Sequence, residues 1–120
     1  MIQTYKDLEV YERSYRMAVE MYGITRNYPR DELYGLTSQI KRAATSIPLN
    51  IAEGYGKSES AVEFKRFLTM AIGSCNEMQV LIDLSKDLGF LDEERYKRIR
   101  DEYDVIVRKL VVLKRNWKQQ

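Results

Sequence analysis

The chain has no histidine and a single cysteine, Cys75, in 120 residues. Those two shortages exclude a Cys/His zinc site, a Ser-His-Asp or Cys-His nucleophile and an intrachain disulfide. Carboxylate-only magnesium sites, lysine chemistry and Ser-Lys pairs survive, but no spacing singles one out, so no metal or cofactor is expected. An excess of one charge is also lacking: 20 basic residues face 18 acidic ones, a formal +2. No global field then drives sequence-blind binding to nucleic acid, and any such binding must come from a local patch. No apolar run approaches the roughly 18 residues that cross a bilayer, and residues 1–8 lack the apolar centre of a signal peptide. The expectation is a cytoplasmic protein without a membrane partner. With no repeat, low-complexity tract or linker, residues 1–120 are read as one domain.

Proline is scarce, and both prolines punctuate helices. Pro29 ends the first, since the residue before a proline is pushed out of the helical region. Pro48 sits inside the stretch from Tyr34 to Lys57 that otherwise reads as helix. An interior proline removes a backbone donor and crowds the carbonyl four residues back, at a cost of about 3 kcal/mol. The sequence therefore predicts a helix kinked at Pro48, near Ala44, and held by its surroundings. The small and polar residues Ala43, Ala44, Ser46, Asn50, Ala52 and Gly54 suit close backbone approach.

Four helices are predicted, over about 8–27, 36–54, 61–88 and 93–117. In the first, with Asp7 as N-cap, Leu8, Tyr11, Tyr15, Ala18, Tyr22 and Thr25 form a stripe at three-four spacing. The second places Leu36, Ile40, Ala43, Ile47, Ile51 and Gly54 on its core side, with Gly54, Gly56 and Ser58 ending it. A capping box, Ser60 with Glu63, opens the third, whose broad apolar face runs from Phe64 to Leu88 and stops at Gly89. Cys75 falls within that face as a small hydrophobe. Asp92 caps the fourth, in which Tyr96, Ile99, Tyr103, Ile106, Leu110, Leu113 and Trp117 keep a seven-residue repeat. Short connections between four such helices imply an all-α, antiparallel up-down-up-down four-helix bundle.

Two sets of residues lie outside this core. On the second helix Gln39, Arg42, Ser46, Leu49 and Glu53, with Asn50 beside them, form another organised face, read either as a solvated flank or as a protein contact. Arg42 and Glu53 are eleven residues apart, about 16 Å at 1.5 Å per residue, so they cannot pair along one straight helix. Each needs another partner, and a neighbouring subunit is one source. The end of the fourth helix is basic through Arg108, Lys109, Lys114, Arg115 and Lys118, with no acid after Asp104. Such residues complement a helix dipole and also suit phosphates. Lys41 joins them as a second candidate nucleic-acid contact.

Nearly the whole chain resembles the bacterial four-helix bundle proteins encoded in intervening sequences of 23S ribosomal RNA genes. The resemblance is carried by Leu8, Val10, Tyr11, Tyr28-Pro29, Glu32 and Tyr34-Gly35-Leu36. Its most specific part is Gln39, Lys41-Arg42-Ala43-Ala44, Ser46-Ile47-Pro48, Asn50-Ile51-Ala52-Glu53-Gly54 and Gly56. Phe67-Leu68, Ala71, Gly73-Ser74, Glu77 and Leu88-Gly89-Phe90-Leu91 continue it. Departures are few: Tyr11 stands where tryptophan is frequent, Ser14 where alanine is, and Lys41 where arginine is. Lysine lacks the planar fork of arginine, which weakens an anion-binding role at Lys41.

The resemblance implies a ring-like homopentamer and kinship with the accessory protein of diversity-generating retroelements, a similar bundle that engages nucleic acid and a reverse transcriptase. Three functions follow as expectations. The first is a non-enzymatic oligomeric adaptor binding RNA or DNA through basic patches. The second is a structural scaffold for a protein partner. The third is an enzyme or small-ligand binder using Arg42, Ser46, Asn50 and Glu53 near the kink.

Overall fold

Amphipathic helices joined by short connections cover their apolar stripes most simply by folding back along one another. The computed structural model, which describes residues 1–118, does this with α1 (Glu9–Thr25), α2 (Leu36–Tyr55), α3 (Ala61–Asp87) and α4 (Glu93–Asn116), and shows no strand among the described residues. Short 3-10 turns, Tyr5–Asp7 and Arg30–Glu32, precede α1 and α2. Antiparallel order is visible in the cross-helix pairs. Arg42 and Ser46 of α2 meet Glu77 and Ser74 of α3. Asp83 and Phe64 of α3 meet Tyr96 of α4 and Trp117 just beyond it. The bundle measures 47 × 24 × 20 Å.

The repeat of α4 supplies the centre of the core. Ile99, Tyr103, Ile106 and Leu110 are fully buried, while Tyr96, Leu113 and Trp117 pack half-buried against them. Phe64, Leu68, Ala71, Cys75, Met78 and Ile82 of α3 are also fully buried, as the spacing predicts. Leu88 departs from that face and is 50% exposed, because the chain leaves the helix at Gly89, whose φ is +82°. Ser60 and Asp92 cap: Ser60 Oγ accepts from the Glu63 amide at 3.2 Å and Asp92 Oδ1 from the Arg95 amide at 2.7 Å, but the Glu63 carboxylate pairs with Arg66 rather than closing the expected capping box.

Three other local expectations are corrected. Asp7 does not cap α1; its carboxylate accepts from the amides of Gln3 and Thr4 at 2.9 and 3.1 Å, closing the preceding turn. Leu8 then occupies the N-cap without a side-chain bond. In α1, the buried side is taken by Val10, Ser14, Met17, Ala18, Met21 and Thr25, while Tyr15 and Tyr22 lie out at the surface. A tyrosine hydroxyl favours water, whereas valine and methionine have no polar group to satisfy, so the adjacent three-four stripe takes most of the core. Finally, of Gly54, Gly56 and Ser58 it is Gly56 that caps the end of α2, which runs through Gly54 to Tyr55. Gly54 is where α3 comes closest: a Cβ there would stand 2.5 Å from Phe67 Cβ and 3.0 Å from Phe64 Cδ1.

The helix passes through Pro48 as one element, with the proline ring buried. Lacking an N–H, Pro48 leaves the Ala44 carbonyl without its usual donor four residues on.

Candidate interaction surfaces

The second face of α2 divides between two neighbours. Towards α3, Arg42 pairs with Glu77, and Ser46 Oγ shares a 2.7 Å hydrogen bond with Ser74 Oγ. Asn50 Nδ2 donates to the Ser46 carbonyl at 2.8 Å and to Ser46 Oγ at 3.1 Å. Arg42 therefore finds its carboxylate within the chain, 35 residues away, where the sequence alone pointed to a neighbour. The outward part of the same face is different. Gln39 and Glu53 are exposed, and Leu49 is 65% exposed.

Leu49 also borders an open groove of about 580 Å³ between α1 and α2. Tyr11, Tyr15, Val19 and Tyr22 form its α1 wall, and Pro48 and Leu49 its α2 wall. Tyr5 and Tyr11 meet edge to face at 4.8 Å, and the Lys41 ammonium lies over the Tyr22 ring at 4.9 Å. Burial, then the neighbouring Tyr5 and Tyr15, makes the Tyr11 hydroxyl harder to ionise. With Tyr15 at 53%, Val19 at 60% and Tyr22 at 41% exposure, this is the broad apolar strip of α1 and α2. The sequence spacing puts Tyr11, Tyr15 and Tyr22 on one stripe with Leu8 and Ala18; the stripe beside it, through Val10, Met17 and Met21, is the one that faces the core.

The basic residues at the end of α4 also separate into two groups. Arg108 is held by Asp104 at 2.6 Å and Lys109 by Glu9 of α1 at 3.1 Å. Lys114, Arg115 and Lys118 enter no ion pair among the described residues, and Arg115 and Lys118 are exposed.

The one thiol and the Tyr103 hydroxyl are sequestered in the core. The Cys75 thiol is fully buried, and desolvation pushes its pKa up to about 12. The Tyr103 hydroxyl is buried without a hydrogen-bond partner among the described residues, and burial likewise raises its pKa. Among the described residues, no three His, Cys, Asp or Glu side chains converge as a bound metal ion requires. No described helix is long and apolar enough to cross a membrane. A wider groove of about 1020 Å³ between α1 and α4 is lined by charges that largely satisfy one another. Arg13 Nη1 reaches both carboxylate oxygens of Glu102 at 2.9 Å, and Arg98 meets Glu20 at 2.6 Å.

Comparison with curated proteins gives no match. A solved structure from Bacteroides thetaiotaomicron, described as a protein with unknown function from the S23 ribosomal protein family, has the same fold: TM-score 0.81 at 23% identity, over 89% of this chain and 96% of that one. Residues 6–112 match the family model described as 23S rRNA-intervening sequence protein, which includes α1 to α3 and all of α4 but its last four residues. The chain belongs to the 23S rRNA-intervening sequence protein family.

Proposed function

We propose that the chain is a non-enzymatic adaptor that assembles into a homo-oligomeric ring, a pentamer by the family resemblance, and binds nucleic acid through basic surface patches. The observation that carries this reading is the exposed apolar strip of Tyr15, Val19, Tyr22 and Leu49, which lies together along one groove between α1 and α2. A cyclic ring requires two different surfaces on each subunit. The outward line of α3 offers a second one, through Val62, Val80 and Leu84 at 77%, 65% and 44% exposure. In this arrangement Leu49 is the apolar centre of the contact and Gln39 and Glu53 its polar rim. Arg42, Ser46 and Asn50 act from behind by fixing α2 against α3. The non-enzyme reading rests on the residue inventory: no imidazole, and a lone thiol held in the core.

Lys114, Arg115 and Lys118, with Lys109, Arg108 and Lys41, supply the phosphate contacts. A ring repeats each weak contact by its subunit number, which converts modest sites into appreciable, salt-dependent binding. The test is fluorescence anisotropy with mixed-sequence RNA and DNA across a salt series. Replacing Lys109, Lys114 and Arg115 together by glutamine is expected to weaken binding alike across sequences and to flatten the salt dependence. Unaltered affinity and slope would move the surface to Lys41 and its surroundings. The groove also supports a scaffold that docks a protein partner without nucleic acid, which a pull-down run in parallel distinguishes. A small-ligand site near Arg42 and Glu53 has no such support, since Arg42 is already paired with Glu77.

A further inference from the structure

The chain is nearly neutral, but its charge is not evenly spread along the rod. Cut across the bundle near Met17, Thr45, Ser74 and Val105, the half with residues 1–16, 46–73 and 106–118 carries eleven basic and six acidic side chains. The other half carries nine basic and twelve acidic ones. A net charge of +2 thus resolves into a positive end and a negative end of a body 47 Å long.

The positive end is organised by aromatic rings. Trp117 packs edge-on against Phe64 at 4.6 Å and against Tyr55 at 6.3 Å, which ties the tail of α4 to the corner between α2 and α3. Each ring has a cation close by in the chain: Lys118 after Trp117, Lys65 after Phe64, Lys57 two past Tyr55. The ammonium of Lys57 lies over the Phe67 ring at 4.9 Å, as does Arg66 at 4.6 Å. Arg66 is matched by Glu63 at 3.2 Å, but Lys57 and Lys65 enter no ion pair among the described residues. Glu53 and Glu59 are the corner's remaining acids.

We propose that this end of the rod is one phosphate-binding face, built jointly by Lys57 and Lys65 of the α2–α3 corner and Lys114, Arg115 and Lys118 of the α4 tail, and that the sugar-phosphate backbone of nucleic acid docks there end-on. The proposal rests on the nucleic-acid reading above and extends it to a second element, the α2–α3 corner, whose lysines lie far from the α4 run along the chain. The acidic far end repels the same ligand and so orients the protein on it. Because phosphates are the groups contacted, DNA and RNA share the site.

The experiment measures binding of 20-base-pair duplex DNA and duplex RNA from 50 to 300 mM salt. It compares the parent, Lys57→Gln/Lys65→Gln, Lys114→Gln/Arg115→Gln and Arg95→Gln, with circular dichroism to check folding. Arg95 is an exposed cation at the opposite end. Each double variant is expected to bind at least about tenfold more weakly at 100 mM salt, with a salt slope on DNA smaller by about 1.8, or about 0.9 per lost contact. Arg95→Gln is expected to match the parent, and RNA to follow DNA. A corner variant that keeps the parent's affinity and slope while the tail variant loses them overturns the joint face and leaves the function proposed above intact. Arg95→Gln weakening binding as much as the corner pair overturns the end-on orientation. Loss confined to one nucleic acid overturns recognition through phosphate alone. A parent that binds neither duplex at 50 mM salt defeats the nucleic-acid reading itself, and this inference with it.

Discussion

The α2–α3 seam and the α1–α4 seam solve the same packing problem by opposite means. Between α2 and α3 the backbones approach until Gly54 has no room for a Cβ beside Phe67, and Ala43, Ser46 and Ser74 keep the rest of the line thin. Between α1 and α4 a groove of about 1020 Å³ stays open, spanned by Arg13–Glu102, Arg98–Glu20 and Lys109–Glu9. The first seam is fixed mainly by shape, which does not respond to salt or pH, with Arg42–Glu77 as its one ion pair among the described residues. The second is fixed by charges at the edge of water, where ions screen them. The rigid seam sits behind Leu49 and the corner lysines, so the proposed contacts rest on the less adjustable half of the bundle.

Substitutions separate the two seams, and the largest effect lies beneath both. Ile106→Asp puts an unpaired charge at a fully buried position of α4. Its expected cost exceeds about 4 kcal/mol and abolishes the cooperative helical melt by circular dichroism. Next is Gly54→Val, which forces α2 and α3 apart and is expected to cost about 2–3 kcal/mol in urea unfolding, equally at low and high salt. An undiminished stability would show that the seam has slack and that its close approach is incidental. Glu102→Gln, on the ionic seam, is expected to lower Tm by less than Gly54→Val, and the difference from the parent should vanish in 1 M salt.

The smallest effect is one of pH. Hydrogen bonds from Arg13 and then Lys109 hold the Glu9 carboxyl below its ordinary value of 4.5. Folding therefore strengthens this acid, so the folded chain binds fewer protons at Glu9 than the unfolded one. The stability it lends is complete above pH 4.5 and is lost as pH falls through the lower folded value. Glu9→Gln should remove that part of the acid slope, as read by thermal melts between pH 5 and about 2. A variant with the parent's acid profile would show that Glu9 contributes nothing to closing α1 against α4.

How far the sequence reveals these features depends on whether neighbours along the chain carry the information. The α4 repeat is legible because its seven positions repeat without interruption, and the structure buries the middle four and packs the outer three against them. In α1 two three-four stripes lie side by side, and spacing alone cannot say that Met17 and Met21 go inside while Tyr15 and Tyr22 go out. Gly54 reads equally well as a helix stop or a point of contact until Phe67 is placed against it. The pairing of Arg42 with Glu77 spans 35 residues and depends on the register of α2 against α3, which no local pattern encodes. Leu49 stands out in the sequence as a stray leucine on a polar face, and in the structure as the α2 edge of the apolar groove. The basic tail of α4 is visible as a run, whereas Lys57 and Lys65 join it only through the edge-on packing of Trp117 against Phe64 and Tyr55.

Assembly through the Leu49 side is the claim on which the adaptor reading depends, and light scattering at micromolar concentration tests it directly. The parent is expected at a multiple of 14.2 kDa, and near 71 kDa if five chains of that mass close the ring. Leu49→Asp, a change at an exposed position, is expected to give smaller species with unchanged helical content. A parent at 14.2 kDa, or a variant that keeps the parent's mass, would contradict the account.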